Sequence, residues 1–136
     1  MSGILDIKSR VKVGFLHPTV ATTATQTIQG LDITGWKSAM FVVEVGAHTA
    51  DDLVVTYQEK DTGGSWANIA ESDLDGVGTV QSRAIVAGDA DTVIYIGYKG
   101  IKNNVGVVIT DSGTGSVVIG AIAVAGNPDE IPQNLT

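Results

Sequence analysis

The chain is a succession of short runs in which apolar and polar positions alternate with a period of two. From Ala39 to Gly46, Phe41, Val43 and Val45 share one face of an extended strand, and Val42 and Glu44 take the other. Alternation of this kind in β-branched and aromatic residues predicts a half-buried strand. Val11, Val13 and Phe15 alternate with Lys12 and Gly14, which predicts a strand from Arg10 to Leu16. His17-Pro18 is expected to end it, because proline supplies no ladder donor and restricts the residue before it. Thr19 to Thr27 fits extended structure without a clear register. Thr27 to Ile33 predicts a second strand, and Thr34-Gly35 turns the chain into the strand that follows.

Leu53, Val55 and Tyr57 alternate with Val54, Thr56 and Gln58. A Gly-rich segment follows at Asp61–Ser65, and Trp66–Ile69 resumes the pattern, which predicts a hairpin. Glu71 to Gly78 reads as an acidic loop, and only Ala67–Leu74 competes as a short helical turn. Val80–Val86 and Thr92–Tyr98 predict strands joined by Ala87–Asp91. In the second of them Ile94, Ile96 and Tyr98 share a face opposite Val93, Tyr95 and Gly97. Val105 to Thr110 is a continuous apolar run, as expected of a strand buried on both faces. Asp111–Gly115 turns, Ser116–Ala125 is the last strand, and Gly126-Asn127-Pro128 ends it. The expectation is an all-β, antiparallel β-sandwich of about eight strands, jelly-roll or immunoglobulin-like. It forms a single domain over 1–136, with an N-terminal arm at 1–10 and a C-terminal tail at 127–136.

Charge narrows the choice of partners. The 136 residues carry a net charge of −7 and no cysteine. Disulfides, thiolate zinc sites and thiol nucleophiles are excluded. Phosphate neutralisation needs clustered cations, and the closest approach is Lys8, Arg10 and Lys12, which reads as one solvated strand face. Direct nucleic-acid binding is not expected. The longest apolar run, Ser116–Ala125, is too short for a membrane-spanning helix. No basic segment followed by a long apolar core opens the chain, so no secretory signal is expected.

Candidate chemistry is sparse. His17 and His48, the only histidines, read as exposed loop residues, because a zinc site wants more ligands at close spacing. Asp73-Leu74-Asp75-Gly76 and Asp89-Ala90-Asp91 are fragments of calcium-ligand spacing, but neither continues to a distal Glu, and Asp is a standard turn former. Gly113-Thr114-Gly115-Ser116 and Gly76-Val77-Gly78 lack the helix a dinucleotide cradle needs. Trp36, Trp66, Tyr57, Tyr95 and Tyr98 admit a sugar-stacking platform, although core packing explains Phe41 and Trp66 better. No catalytic, cofactor-binding or metal residue is assigned, and no enzyme activity or cofactor is expected.

A series of segments resembles a known group. Asp32-Ile33-Thr34-Gly35-Trp36 leads into Ala39–Gly46. Gln58-Glu59-Lys60-Asp61 precedes the Gly turn and Trp66. Then come Ile96-Gly97-Tyr98-Lys99-Gly100, Asn104-Val105-Gly106-Val107-Val108 and Ile122–Pro128. Together, over about residues 32–128, these resemble small virion structural proteins of tailed bacteriophages, of the capsid decoration or cement type. Asn103-Asn104-Val105-Gly106 stands where that group often has Arg-Tyr-Val-Arg, so its cationic contacts are not expected here. The resemblance implies a jelly-roll or immunoglobulin-like sandwich made in the host cytoplasm and placed on the capsid surface. It also implies the major capsid protein as partner, a homotrimer, and contact with neither nucleic acid nor membrane. On that reading 1–10 and 127–136 are arms for neighbours, or else ordinary frayed termini. The alternatives are a head fibre, a tail or host-binding component, and a carbohydrate-binding sandwich module.

Overall fold

The computed structural model describes residues 10–22, 26, 29–48, 53–76, 80–111 and 116–128. The arm expected before Arg10, the tail beyond Pro128, and the glycine pairs at Gly113-Thr114-Gly115 and Val77-Gly78 fall outside them. Ten strands lie in the described residues. They are β1 Val11–Thr22, β2 Gln29–Asp32, β3 Trp36–His48, β4 Leu53–Lys60, β5 Ala67–Asn68, β6 Leu74–Asp75, β7 Ser82–Ile85, β8 Thr92–Tyr98, β9 Asn104–Asp111 and β10 Val117–Pro128. Short 3₁₀ turns occupy Glu71–Asp73 and Ala87–Asp89.

These strands form two antiparallel sheets. The first has the order β1-β10-β3-β8-β6, and the second β2-β9-β4-β5 with β7 also paired to β4. Successive strands alternate between the sheets except that β4 and β5 share the second, and the first and last strands are neighbours in the first. That order is the jelly roll. An immunoglobulin sandwich keeps its first two strands side by side in one sheet.

The sheets are held together by the side chains that alternate inward. In β3 these are Phe41, Val43 and Val45, in β8 Ile94, Ile96 and Tyr98, and in β4 Leu53, Val55 and Tyr57, all buried. Ala121, Ala123 and Ala125 line the inner face of β10. Their small side chains leave room for the larger ones from β4 and β9. Phe41 meets Tyr57 across the interior, ring centroids 4.8 Å apart and planes tilted by 47°. The expected hairpin forms between β4 and β5, with Gln58 opposite Asn68. Gly63 adopts φ +80° in its turn, a conformation glycine takes without steric cost.

Several boundaries differ from the sequence reading. β1 runs through His17-Pro18, because bulges between Phe15 and His17 and between His17 and Val20 absorb the irregularity within an edge strand. β10 likewise continues to Pro128, opposite Trp36. The acidic loop after Ile69 contains a 3₁₀ turn and the short β6. The Glu71 carboxylate clamps this segment, accepting the Val80 and Gln81 amides at 2.7 and 2.8 Å. β9 is not buried on both faces throughout. Val105, Val107 and Ile109 are buried, while Val108 is half-buried and Thr110 exposed, since only one sheet covers it.

The Tyr57 hydroxyl is fully buried and has no hydrogen-bond partner among the described residues. A buried unpaired hydroxyl costs about 1–3 kcal/mol. Tyr57→Phe is therefore expected to raise stability by about 1 kcal/mol, read as a higher urea midpoint at unchanged slope; a lower midpoint would refute this.

Candidate functional site

The inward alternation of the first sheet fixes what its other face carries. Val13, Val124, Met40 and Gly97 lie side by side on β1, β10, β3 and β8. The adjacent row on the same face is Phe15, Ile122, Val42 and Tyr95. Every side chain in both rows is apolar or aromatic. Phe15 and Tyr95 stand 68% and 63% exposed at the two ends of their row, and Val13 is 59% exposed. Half-buried Ile122 and Val42 form the floor between the two rings. A third row, Gly120, Glu44 and Val93, borders the patch, and a hollow of about 110 Å³ opens where Gly120 has no side chain. At same-face spacings of about 6.8 Å along a strand and 4.8 Å between strands, the apolar patch measures roughly 260 Å². The largest apolar patch on a typical monomer is about 300–600 Å² and is often functional.

On β1, β10, β3 and β8 the two rows carry no charge, but Asp75 on β6 continues the first row beyond Gly97, its Cβ 3.3 Å from where a side chain at Gly97 would begin, and Glu44 lies in the bordering row. Elsewhere charges are tied to structure. Arg83 pairs with Asp89 at 2.7 Å along a groove of about 430 Å³, and Asp89 also accepts the Val86 amide. Lys102 pairs with Asp61 at 2.8 Å, an exposed contact that raises the lysine pKa. The Thr34 hydroxyl and amide hold the Asp32 carboxyl below the usual carboxylate range.

One polar cluster is partly buried. Tyr98 donates to the Glu59 carboxylate at 2.6 Å and accepts the Lys102 amide at 3.0 Å. Burial first, then the bond to Glu59, pushes its hydroxyl pKa well above the usual tyrosine value. Burial does the same at Tyr57. The Tyr98 cluster locks the loop from β8 to β9. A Cβ at Gly100 would meet the Tyr98 ring at 2.6 Å. At the tip of this loop Ile101 is 94% exposed.

The candidates read from sequence are dispersed. His17 is a buried strand residue, not an exposed loop residue: β1 continues through it by way of bulges, and its Nδ1 donates to the Ile119 carbonyl at 3.2 Å. His48 ends β3, half-buried, on the same sheet. Asp73 lies in the 3₁₀ turn and Asp75 on β6, while Asp89 is engaged by Arg83 and Asp91 holds φ +57°. Among the described residues no three His, Asp or Glu side chains gather where a metal ion would sit. Trp36, Tyr57 and Tyr98 belong to the core, and Trp66 is half-buried with Lys60 5.0 Å above its ring. They form no platform.

Lys12 corrects the reading of the first strand. It is half-buried and donates to the Asp32 carbonyl at 2.7 Å, while Val13 and Phe15 face outward. The missed surface had a signal. Val42 in β3, and Ile122 with Val124 in β10, leave apolar residues on both faces of strands that have only one interior side. No family model, curated protein or solved structure matches the chain.

Proposed function

We propose that this chain is a non-enzymatic structural protein of a tailed-phage virion, which decorates the capsid exterior and stabilises it. The observation that carries the reading is the apolar outer face of the first sheet. Water-exposed apolar area of this extent is a standing cost, and covering it with another protein surface releases roughly 25 cal/mol per Å² before the entropy of association is subtracted. Such a face serves contact, not turnover. The resemblance of residues 32–128 to capsid decoration proteins supplies the setting. The net charge of −7 fits the outside of the shell, away from packaged DNA, because like charges repel. Each added interface raises the work needed to separate capsomers against internal pressure.

The test is co-sedimentation of the purified protein with expanded, DNA-free heads assembled from the major capsid protein of the same genome. Saturable binding, with new density on the outer shell by electron microscopy, is the expected result. Protein that stays in the supernatant at micromolar concentration would overturn the reading. Density on the tail would move it to a tail or host-binding role.

A further inference from the structure

We propose that the open edge of β8, from Thr92 to Ile96, accepts an extended, basic segment of a partner protein as an added strand of the first sheet. The contact is made through the edge of the strand, not through the apolar outer face, and it does not rest on the decoration reading.

The main chain supplies the bonds. β8 pairs with β3 from Thr92 to Tyr98. On its other side β6 reaches only Gly97 and Tyr98, and among the described residues no strand lies beside Thr92–Ile96. The Lys99 amide donates to the Asp73 carbonyl on the β6 side at 2.7 Å. Main-chain groups alternate between the two sides of a strand, so Val93 and Tyr95 turn their N–H and C=O groups to that open side. Natural sheets blunt such edges with proline, bulges or charge. Here β1 carries Pro18 and two bulges, β2 carries Asp32 and β7 carries Arg83. Thr92–Ile96 carries none of these devices.

Beside the edge runs the groove of about 430 Å³, with Thr92–Ile96 on one side and the Arg83–Asp89 pair on the other. A bonding main-chain row next to a hollow that takes every second side chain is the layout that strand addition uses. Charge selects the occupant. Exposed Asp91 precedes the edge, exposed Asp75 stands at its far end opposite Gly97, and exposed Glu44 lies across from Val93 on β3. Arg83 is neutralised by Asp89, and Lys99 lies beyond Tyr98, outside the open stretch. Lysine or arginine on the outer side of the added strand meets these carboxylates, and small apolar residues at alternate positions enter the groove. A second copy of this chain would bring the same carboxylates to the edge, and like charges repel.

The test is a nuclear magnetic resonance titration of the nitrogen-15-labelled full chain with a blocked peptide of about seven residues that alternates lysine and valine. Saturable shifts of the Val93 and Tyr95 amides at about 1 mM peptide or below, with slowed hydrogen exchange at both, are the expected result. N-methylation of alternate peptide residues should abolish binding in one pattern and spare it in the other, because only one set of peptide amides faces β8. Glutamate in place of lysine should remove the shifts. The triple variant D75N/D91N/E44Q changes exposed carboxylates only, and it should bind the lysine peptide about tenfold more weakly at low salt. Silent Val93 and Tyr95 amides, equal binding of the glutamate peptide, binding that survives both N-methylation patterns, or undiminished binding by the triple variant would each overturn the proposal. So would a wild-type dimer joined through β8. Head binding without peptide binding would sink this inference and leave the decoration reading standing. Peptide binding by a protein that ignores heads would do the reverse.

Discussion

Phe41→Ala is expected to destabilise the protein by about 3–5 kcal/mol, the usual range for emptying a large aromatic site in a core. Phe41 is fully buried at the centre of β3, and its ring packs on Tyr57 of β4 in the other sheet. The substitution therefore removes transfer energy and an inter-sheet aromatic contact together. The neighbours on β10 are alanines, Ala121, Ala123 and Ala125, which have no length with which to fill the space. A domain of this size has only about 5–15 kcal/mol of net stability, so about a fifth or more of it is expected to go. Urea unfolding monitored by tryptophan fluorescence measures this. A loss below about 1 kcal/mol would mean that the sheets do not depend on this contact.

Tyr98→Phe is the second large effect, at about 2 kcal/mol. The hydroxyl serves the Glu59 carboxylate and the Lys102 amide at once. Its removal leaves a part-buried carboxylate and an amide unpaired, and hydrogen bonds to charged groups are worth about 1.5–3 kcal/mol. A double-mutant cycle with Glu59→Gln isolates the pair, and additive losses would show that they are not coupled. The same tyrosine governs alkaline behaviour. Its folded pKa is raised, so its neutral form is favoured in the native state. The stability this gives is complete below the ordinary tyrosine value of about 10 and is lost as pH rises above it, because the unfolded chain gives up the proton first. Tyr57 adds to the same slope. The wild type is expected to lose stability steeply above about pH 10, and Y57F/Y98F to lose much less. Superimposable curves for the two proteins would refute the assignment.

The apolar outer face of the first sheet was written in the sequence but could not be recognised as such. In β3 and β8 the alternation was enough, because Phe41, Val43 and Val45, and Ile94 with Ile96, are unbroken apolar sets, while the opposite sets carry the Glu44 carboxylate, the Tyr95 hydroxyl and Gly97. In β1 the same rule pointed the other way. Val13 and Phe15 are the larger residues, yet Gly14 and Leu16 face the interior. The reason is a neighbour far along the chain. Leu31 occupies the space where a side chain at Gly14 would stand, 2.6 Å from its Cδ1. Glycine there leaves no cavity, and the large side chains are free to face outward.

Local pattern by itself determined the all-β class, the hairpin at Asp61–Ser65, the inner faces of β3, β4 and β8, and the acidic, cysteine-free character of the chain. These depend on residues within one strand or turn, where a side-chain period of two and the freedom of glycine act directly. Only the tertiary structure decided the jelly-roll order, the inverted facing of β1, the burial of His17, and the alignment of Val13, Val124, Met40 and Gly97 into one row. Each requires residues up to a hundred or more positions apart to come together. Alternation says that a strand has two faces, and only the strands packed against it decide which of the two meets water.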